Sequence, residues 1–298
     1  MNDQKQLLKQ KKLFVFDMDG TIYLGNRVFD FAIRFIDHLR ENGYRVLFFT
    51  NNASHTTEFY MSKLSRLGFS PREDEIMTSG DVTIEFLRRH RDGKSVYLVG
   101  TDELVESFKD AGINMLTGDE EKADIVVTSF DTTLTYQKMW DAVRYIDGGA
   151  VYIATHPDLN CPTADGYMPD TGSMIELFAA STGKRPQVLG KPMTATVDYI
   201  TNMLGCERSE LAFIGADNNH YSYDSSTVDK IKEAISDEKN VIICQHVPLH
   251  SDSLAKAYEA AGHPNLAIGN NPEKADNYKA IMEIVNAESS PVKALLCG

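Results

Sequence analysis

The stretch Leu13-Phe14-Val15-Phe16-Asp17-Met18-Asp19-Gly20-Thr21 is the point from which the rest of the chain is read. Leu13 to Phe16 form an unbroken apolar run, the composition of a strand buried on both faces, as in parallel sheets. Two carboxylates follow where that strand should end, and Gly20 permits a sharp turn. In open α/β sheets, ligands collect beyond the carboxyl ends of the strands. Asp17 and Asp19 therefore fall where a site is expected. The two-residue period of a strand sends both to one side and Met18 to the other. Like charges this close call for a cation between them or for one carboxyl that keeps its proton.

The next segments repeat the theme. Residues 31–41 carry Phe31, Phe35, Ile36 and Leu39 at helical spacing, with Gly43 placed to end the helix. Arg45 to Phe49 read as a second buried strand, which ends in Thr50-Asn51-Asn52, a hydroxyl and two amides. Neutral donors at a strand end suit the oxygens of a phosphoryl group, and they serve equally well to cap the following helix. That helix is expected over 56–67, with a short strand at 76–78. From 82 to 184 strands and helices alternate again: strands at 95–99, 125–128 and 151–155, helices at 103–111, 136–146 and 174–181. This predicts a second α/β domain with its own sheet. Residues 156–171 read as a long loop rich in proline and aspartate, and loops of this length are usually functional or disordered. Leu189-Gly190-Lys191-Pro192 closes the segment, with Pro192 suited to the first turn of a helix running to about 204.

Three of these stretches together resemble the haloacid dehalogenase (HAD) superfamily. Asp17-Met18-Asp19-Gly20-Thr21 resembles its first motif. Thr50-Asn51-Asn52 resembles the second, in the form typical of the NagD-like, class IIA branch, the group of p-nitrophenylphosphatases, and Gly190-Lys191-Pro192 resembles the third. Order and spacing carry the match, which covers about residues 13–215. The resemblance implies a doubly wound parallel α/β core, formed by residues 1–81 and 185–298, with an α/β cap inserted over 82–184. It implies that Asp17 is a nucleophile forming an aspartyl-phosphate and that Asp19 is the acid and base. Thr50, Asn51, Asn52 and Lys191 would hold the phosphoryl group. Asp158, Asn160 and Asp170 would be substrate-loop contacts. The implied cofactor is Mg²⁺, bound by Asp17, Asp19 and an acid after the fourth strand.

That last acid is displaced. After Leu211 to Gly215 the family places Asp directly after Gly, whereas this chain has Ala216 and then Asp217. A one-residue slip in extended chain turns a side chain to the opposite face. Asp217 is therefore the candidate third metal ligand, and weak Mg²⁺ binding is expected. From about 217 to 298 the wording, including Asn240 to His250, instead resembles the later part of a calcineurin-like metallophosphoesterase. The earlier metal motifs of that family are absent, so His246 alone cannot build a dimetal site. A helix at 228–235 and a strand at 241–244 are expected to supply the next elements of the core.

Composition narrows the function classes. Lys and Arg number 30 against 43 Asp and Glu, a formal charge of −13, which disfavours nucleic acid and membrane surfaces as partners. The start of the chain lacks a signal-peptide core, and no apolar run approaches the roughly 20 residues of a membrane span. Cys161, Cys206, Cys244 and Cys297 are scattered, as expected of reduced thiols in a cytoplasmic protein. The reading is a Mg²⁺-dependent phosphomonoesterase for a small phosphorylated metabolite. Its alternatives are a catalytically impaired binder of phosphate compounds, because of Ala216, and a dimetal phosphodiesterase. Oligomeric state is left open, a homo-oligomer included.

Overall fold

The structure, a computed structural model, describes residues 11–19, 21–163, 166–191, 193–214, 241–245 and 292–297. Within these the chain divides into two compact units, with breaks after Val46 and after Ser209. Parallel sheets flanked by helices make it an α/β fold.

In the unit that contains the N-terminal segment, β1 (Leu13–Phe16) is buried at every residue. It pairs in parallel with β13 (Leu211–Ile214), Leu13 opposite Leu211 and Phe16 opposite Ile214. The Lys12 amide donates to the Glu210 carbonyl at 2.9 Å and the Arg45 amide to the Lys12 carbonyl at 2.8 Å, which fixes where β1 begins. A small antiparallel hairpin, β2 (Tyr23–Leu24) with β3 (Arg27–Val28), follows β1. Helix α1 (Ala32–Glu41) buries Ala32, Ile36 and Leu39, and Phe35 meets Phe16 edge-on at 5.9 Å. Gly43 ends it at φ +80°, a conformation that side chains with a Cβ resist. The expected strand at 241–244 is present as β14 (Val241–Gln245). It pairs in parallel with β15 (Val292–Cys297) in a separate two-stranded sheet, not as the next strand beside β13. The helix expected at 228–235, and His246, lie outside the described residues.

The break after Val46 falls within β4 (Arg45–Thr50), and in the other unit its residues Phe48 to Thr50 pair with β5 (Ile76–Thr78). Helix α2 (Thr57–Arg66) lies between them in sequence, and α3 (Ser79–His90) follows β5 directly. A five-stranded parallel sheet comes next, ordered β12–β9–β8–β6–β7: β6 (Ser95–Val99), β7 (Asn114–Met115), β8 (Ile125–Thr128), β9 (Val151–Ala154) and β12 (Gln187–Val188). Its helices are α4 (Asp102–Asp110), α5 (Tyr136–Asp147) and α6 (Thr171–Thr182). Helices α5 and α6 bury Ala142, Tyr145, Ile146, Met174 and Phe178 against Tyr97, Val99, Val126 and Tyr152 of the sheet. Threonine starts four of these helices: Thr56, Thr78, Thr101 and Thr135 each accept a backbone amide on the side chain. Each is expected to contribute about 1 kcal/mol. Helix α7 (Thr194–Leu204) completes the unit, beginning two residues beyond Pro192.

Two expectations are corrected here. Residues 156–171 are not a plain loop: β10 (Asn160–Thr163) and β11 (Gly166–Pro169) form an antiparallel hairpin. Pro162 lies within β10, and a two-stranded ribbon, being all edge, tolerates the missing donor. Helix α6 starts at Thr171 rather than at 174, because Asp170 caps it, accepting the Thr171 amide at 2.6 Å.

Candidate active site

Asp17 and Asp19 leave the end of β1 as expected. Met18 between them is fully buried, whereas both carboxylates are partly exposed. The turn that holds them is closed by the Thr21 and Ile22 amides, each donating to the Met18 carbonyl at 3.1 Å. The Thr21 hydroxyl donates to Asp17 Oδ2 at 2.9 Å, and the phenol of the buried Tyr23 donates to Asp19 Oδ2 at 3.2 Å. Hydroxyl donors orient a carboxylate without cancelling its charge. The donor set here is oxygen throughout, the chemistry that suits a hard cation such as Mg²⁺. Tyr23 was not legible as a site residue, since an aromatic after a turn reads as core. Asp217 lies outside the described residues.

In the other unit, Thr50, Asn51 and Lys191 come together. Thr50 closes β4, and its Oγ1 accepts the Asn52 amide at 3.0 Å. Asn51 is buried and binds the Lys191 backbone at both ends of its amide. Nδ2 donates to the Lys191 carbonyl at 3.0 Å, and Oδ1 accepts the Lys191 amide at 3.0 Å. Nδ2 also donates to Asp158 Oδ2 at 3.0 Å. Asn51 thus fastens the Lys191 segment, whose ammonium donates to the Phe49 carbonyl at 3.2 Å. Asn52 Oδ1 accepts from both the amide and the hydroxyl of Ser54, at 3.0 and 2.6 Å, and its Nδ2 donates to Cys161 Sγ at 4.0 Å. Gly190 sits where only glycine fits. A Cβ there would stand 2.4 Å from the Thr155 carbonyl and 2.9 Å from Asn51 Oδ1.

The substrate-loop candidates separate. Asp158 lies beside Asn51, and Asn160 opens the hairpin opposite Pro169. Asp170, expected as a substrate contact, is 3 % exposed and turned inward. Its Oδ1 meets His156 Nε2 at 2.8 Å, a salt bridge inside the protein. The reason is its double duty as helix cap and counter-charge. His156 is fully buried; its Nδ1 lies 2.9 Å from Thr155 Oγ1 and 3.3 Å from Ser79 Oγ. Ser79 in turn donates to the Asn51 carbonyl at 2.5 Å. Neither Ser79 nor His156 stood out in the sequence, since one starts a helix and the other lay in an apparent loop.

Burial pulls the His156 pKa down and Lys191 adds to that, but Asp170 and then Asp158 outweigh both, and the net direction is up. A raised folded value stabilises the fold fully below the ordinary 6.5, and the contribution is lost as pH climbs through the folded value. The stability gap between wild type and Asp170→Asn should accordingly narrow as pH rises above 6.5, measured by urea denaturation across pH. A gap that stayed constant would show that the ring does not titrate there.

Residues 14–114 match the haloacid dehalogenase-like hydrolase family. The acid sugar phosphatase of Staphylococcus aureus is 33 % identical over 208 residues, 70 % of this chain and 80 % of that one. The chain belongs to the haloacid dehalogenase-like hydrolases. Among solved structures of that family, the 4-nitrophenylphosphatase of Thermotoga maritima is 36 % identical, with a TM-score of 0.67 over 71 % of this chain and 80 % of that one. The glycerol phosphate phosphatase of Mycobacterium tuberculosis, solved in complex with magnesium, is 26 % identical, with a TM-score of 0.66 over 71 % of this chain and 63 % of that one. The haloacid dehalogenase-like reading places this chain in the NagD-like, class IIA branch, as a hydrolase of the phosphatase type.

Proposed function

We propose that the chain is a Mg²⁺-dependent phosphomonoesterase that acts on a small phosphorylated metabolite through an aspartyl-phosphate. The observation that carries the reading is the Asp17–Asp19 pair at the end of β1, each carboxylate oriented by its own hydroxyl. Asp17 attacks phosphorus, and the bond to the ester oxygen breaks. The departing oxygen takes its proton from Asp19. Asp19 then removes a proton from water, which attacks the acyl phosphate, releases inorganic phosphate and restores Asp17. Thr50 and the Lys191 ammonium hold the transferring group, with Asn51 keeping the Lys191 segment in place and Asn52 supporting the turn. Mg²⁺, held by Asp17, the Asp19 carbonyl and Asp217, would supply charge neutralisation at the phosphoryl oxygens.

Residues 82–184 are read as the cap and Asp158 and Asn160 as groups facing the leaving group. Phosphorylated sugars are the first substrates to test, given the relatives' names. No helix among the described residues is long and apolar enough to cross a membrane. Cytoplasmic location remains part of the proposal. Ala216, in place of the family's acid, favours a second reading in which the site binds phosphate compounds with little turnover.

The full chain is to be assayed with 4-nitrophenyl phosphate and a panel of phosphorylated sugars while Mg²⁺ is varied. Hydrolysis should rise with Mg²⁺ into the millimolar range, and mass spectrometry after a single turnover should find phosphate on Asp17. Rates unaffected by chelator would remove the proposed mechanism. Phosphate binding without turnover would favour the second reading.

A further inference from the structure

We propose that His156 is a positioning residue of the phosphate site: Asp170 holds it doubly protonated, and it fixes Asn51 through the Ser79 hydroxyl. The proposal rests on the reading of Lys191 as a phosphate-site residue.

An inventory of hydrogens carries it. Ser79 has one hydroxyl hydrogen, and at 2.5 Å that hydrogen belongs to the Asn51 carbonyl. Ser79 therefore offers only lone pairs to His156 Nδ1, 3.3 Å away. The Thr155 hydroxyl lies 3.1 Å from Ser129 Oγ and 2.9 Å from Nδ1, and by donating to Ser129 it too presents a lone pair to Nδ1. A hydrogen on Nδ1 is what Ser79, with none left to give, requires. At the far side of the ring, Nε2 faces the Asp170 carboxylate at 2.8 Å and must carry one as well. Both nitrogens protonated make an imidazolium. The charged groups acting on it are Asp170, Asp158 and Lys191. Asp170 is itself steadied by the first amide of α6, where the helix dipole favours a negative charge.

The ring thereby joins two fastenings of one short segment. Thr155 accepts the Gly190 amide on its carbonyl at 2.7 Å and holds the ring with its hydroxyl. Asn51 grips Lys191 through its side-chain amide, while its own carbonyl is held by Ser79. Loss of the charge on the ring would loosen Ser79 and Thr155 together, and with them both anchors of Gly190-Lys191. Ser79, His156 and Asp170 are arranged like a nucleophilic triad, but Ser79 is fully buried with its hydrogen committed, so it does not attack a substrate.

The test uses the full chain labelled with ¹⁵N-histidine, assigned from sequential backbone spectra. Both His156 nitrogens should appear protonated at neutral pH and lose one proton only above the ordinary histidine range. In Asp170→Asn that loss should move to lower pH. With 4-nitrophenyl phosphate as substrate, Asp170→Asn should lose about tenfold to a hundredfold in kcat/KM, the cost of a misplaced binding group. The alkaline limb of its pH profile should shift down in step with the ring, and inorganic phosphate should inhibit more weakly. A neutral His156 at neutral pH in the wild type overturns the proposal whatever the activity. So does an imidazolium whose removal leaves phosphate inhibition and the pH limb unchanged, because a purely structural pair would lower only the folded fraction. A wild type that never hydrolyses phosphate esters would sink the phosphatase mechanism instead, and the spectra and phosphate binding would still judge the ring.

Discussion

Asp17→Asn should leave the chain without measurable turnover, a loss of at least about a thousandfold. The substitution is nearly isosteric, and the amide oxygen still accepts the Thr21 hydroxyl that now meets Asp17 Oδ2 at 2.9 Å. The fold should therefore be preserved, and circular dichroism can confirm it. What disappears is the nucleophile, since an amide does not displace an ester oxygen from phosphorus. Asp19→Asn provides the contrast. It removes the proton for the departing oxygen, so alkyl phosphates should suffer far more than 4-nitrophenyl phosphate, whose leaving group needs little help. If Asp17→Asn kept wild-type kcat, covalent catalysis through that residue would be wrong.

Gly190→Ala should be the most damaging change outside the reacting groups. The new Cβ would approach the Thr155 carbonyl to 2.4 Å and both Asn51 Oδ1 and His156 Cβ to 2.9 Å. Two of these atoms are held in place, because Thr155 accepts the Gly190 amide and Asn51 accepts the Lys191 amide. Relief requires breaking one of the two bonds. Overpacking of this kind costs about 3 kcal/mol, to be read from the urea midpoint. Inhibition by inorganic phosphate should weaken alongside, since the segment displaced is the one that carries Lys191. Wild-type stability together with wild-type phosphate inhibition would show that the backbone yields at no cost.

The strands that end in polar residues were legible because their signal is local. Leu13 to Phe16 and Val46 to Phe49 are apolar without interruption, and both are buried strands followed by the expected site residues. Among the described residues, the helices that were expected fell within a few residues of their places, and their true starts belong to cap residues such as Thr101 and Asp170, whereas α3 (Ser79–His90) was not expected at all. The hairpin at 160–169 was hidden because its pairing depends on a partner strand, while its composition is that of a turn. Strand β7, of two residues, has too little sequence to announce itself. The centre around His156 was beyond reach for another reason. It joins residues 77 positions apart in Ser79 and His156, and 14 apart in His156 and Asp170. No spacing rule brings those side chains together; the folded sheet does.

The His156–Asp170 pair also constrains the lineage that carries it. Replace either residue alone and the other loses its opposite charge inside the protein, a change that costs up to about 3–5 kcal/mol where the remaining group stays charged. Natural domains have only about 5–15 kcal/mol of stability to lose. Descent by single substitutions from this pair to an apolar or neutral one would thus cross a less stable intermediate. The two positions therefore change most easily together or after stability has been gained elsewhere, so that each restricts which replacements the other can accept.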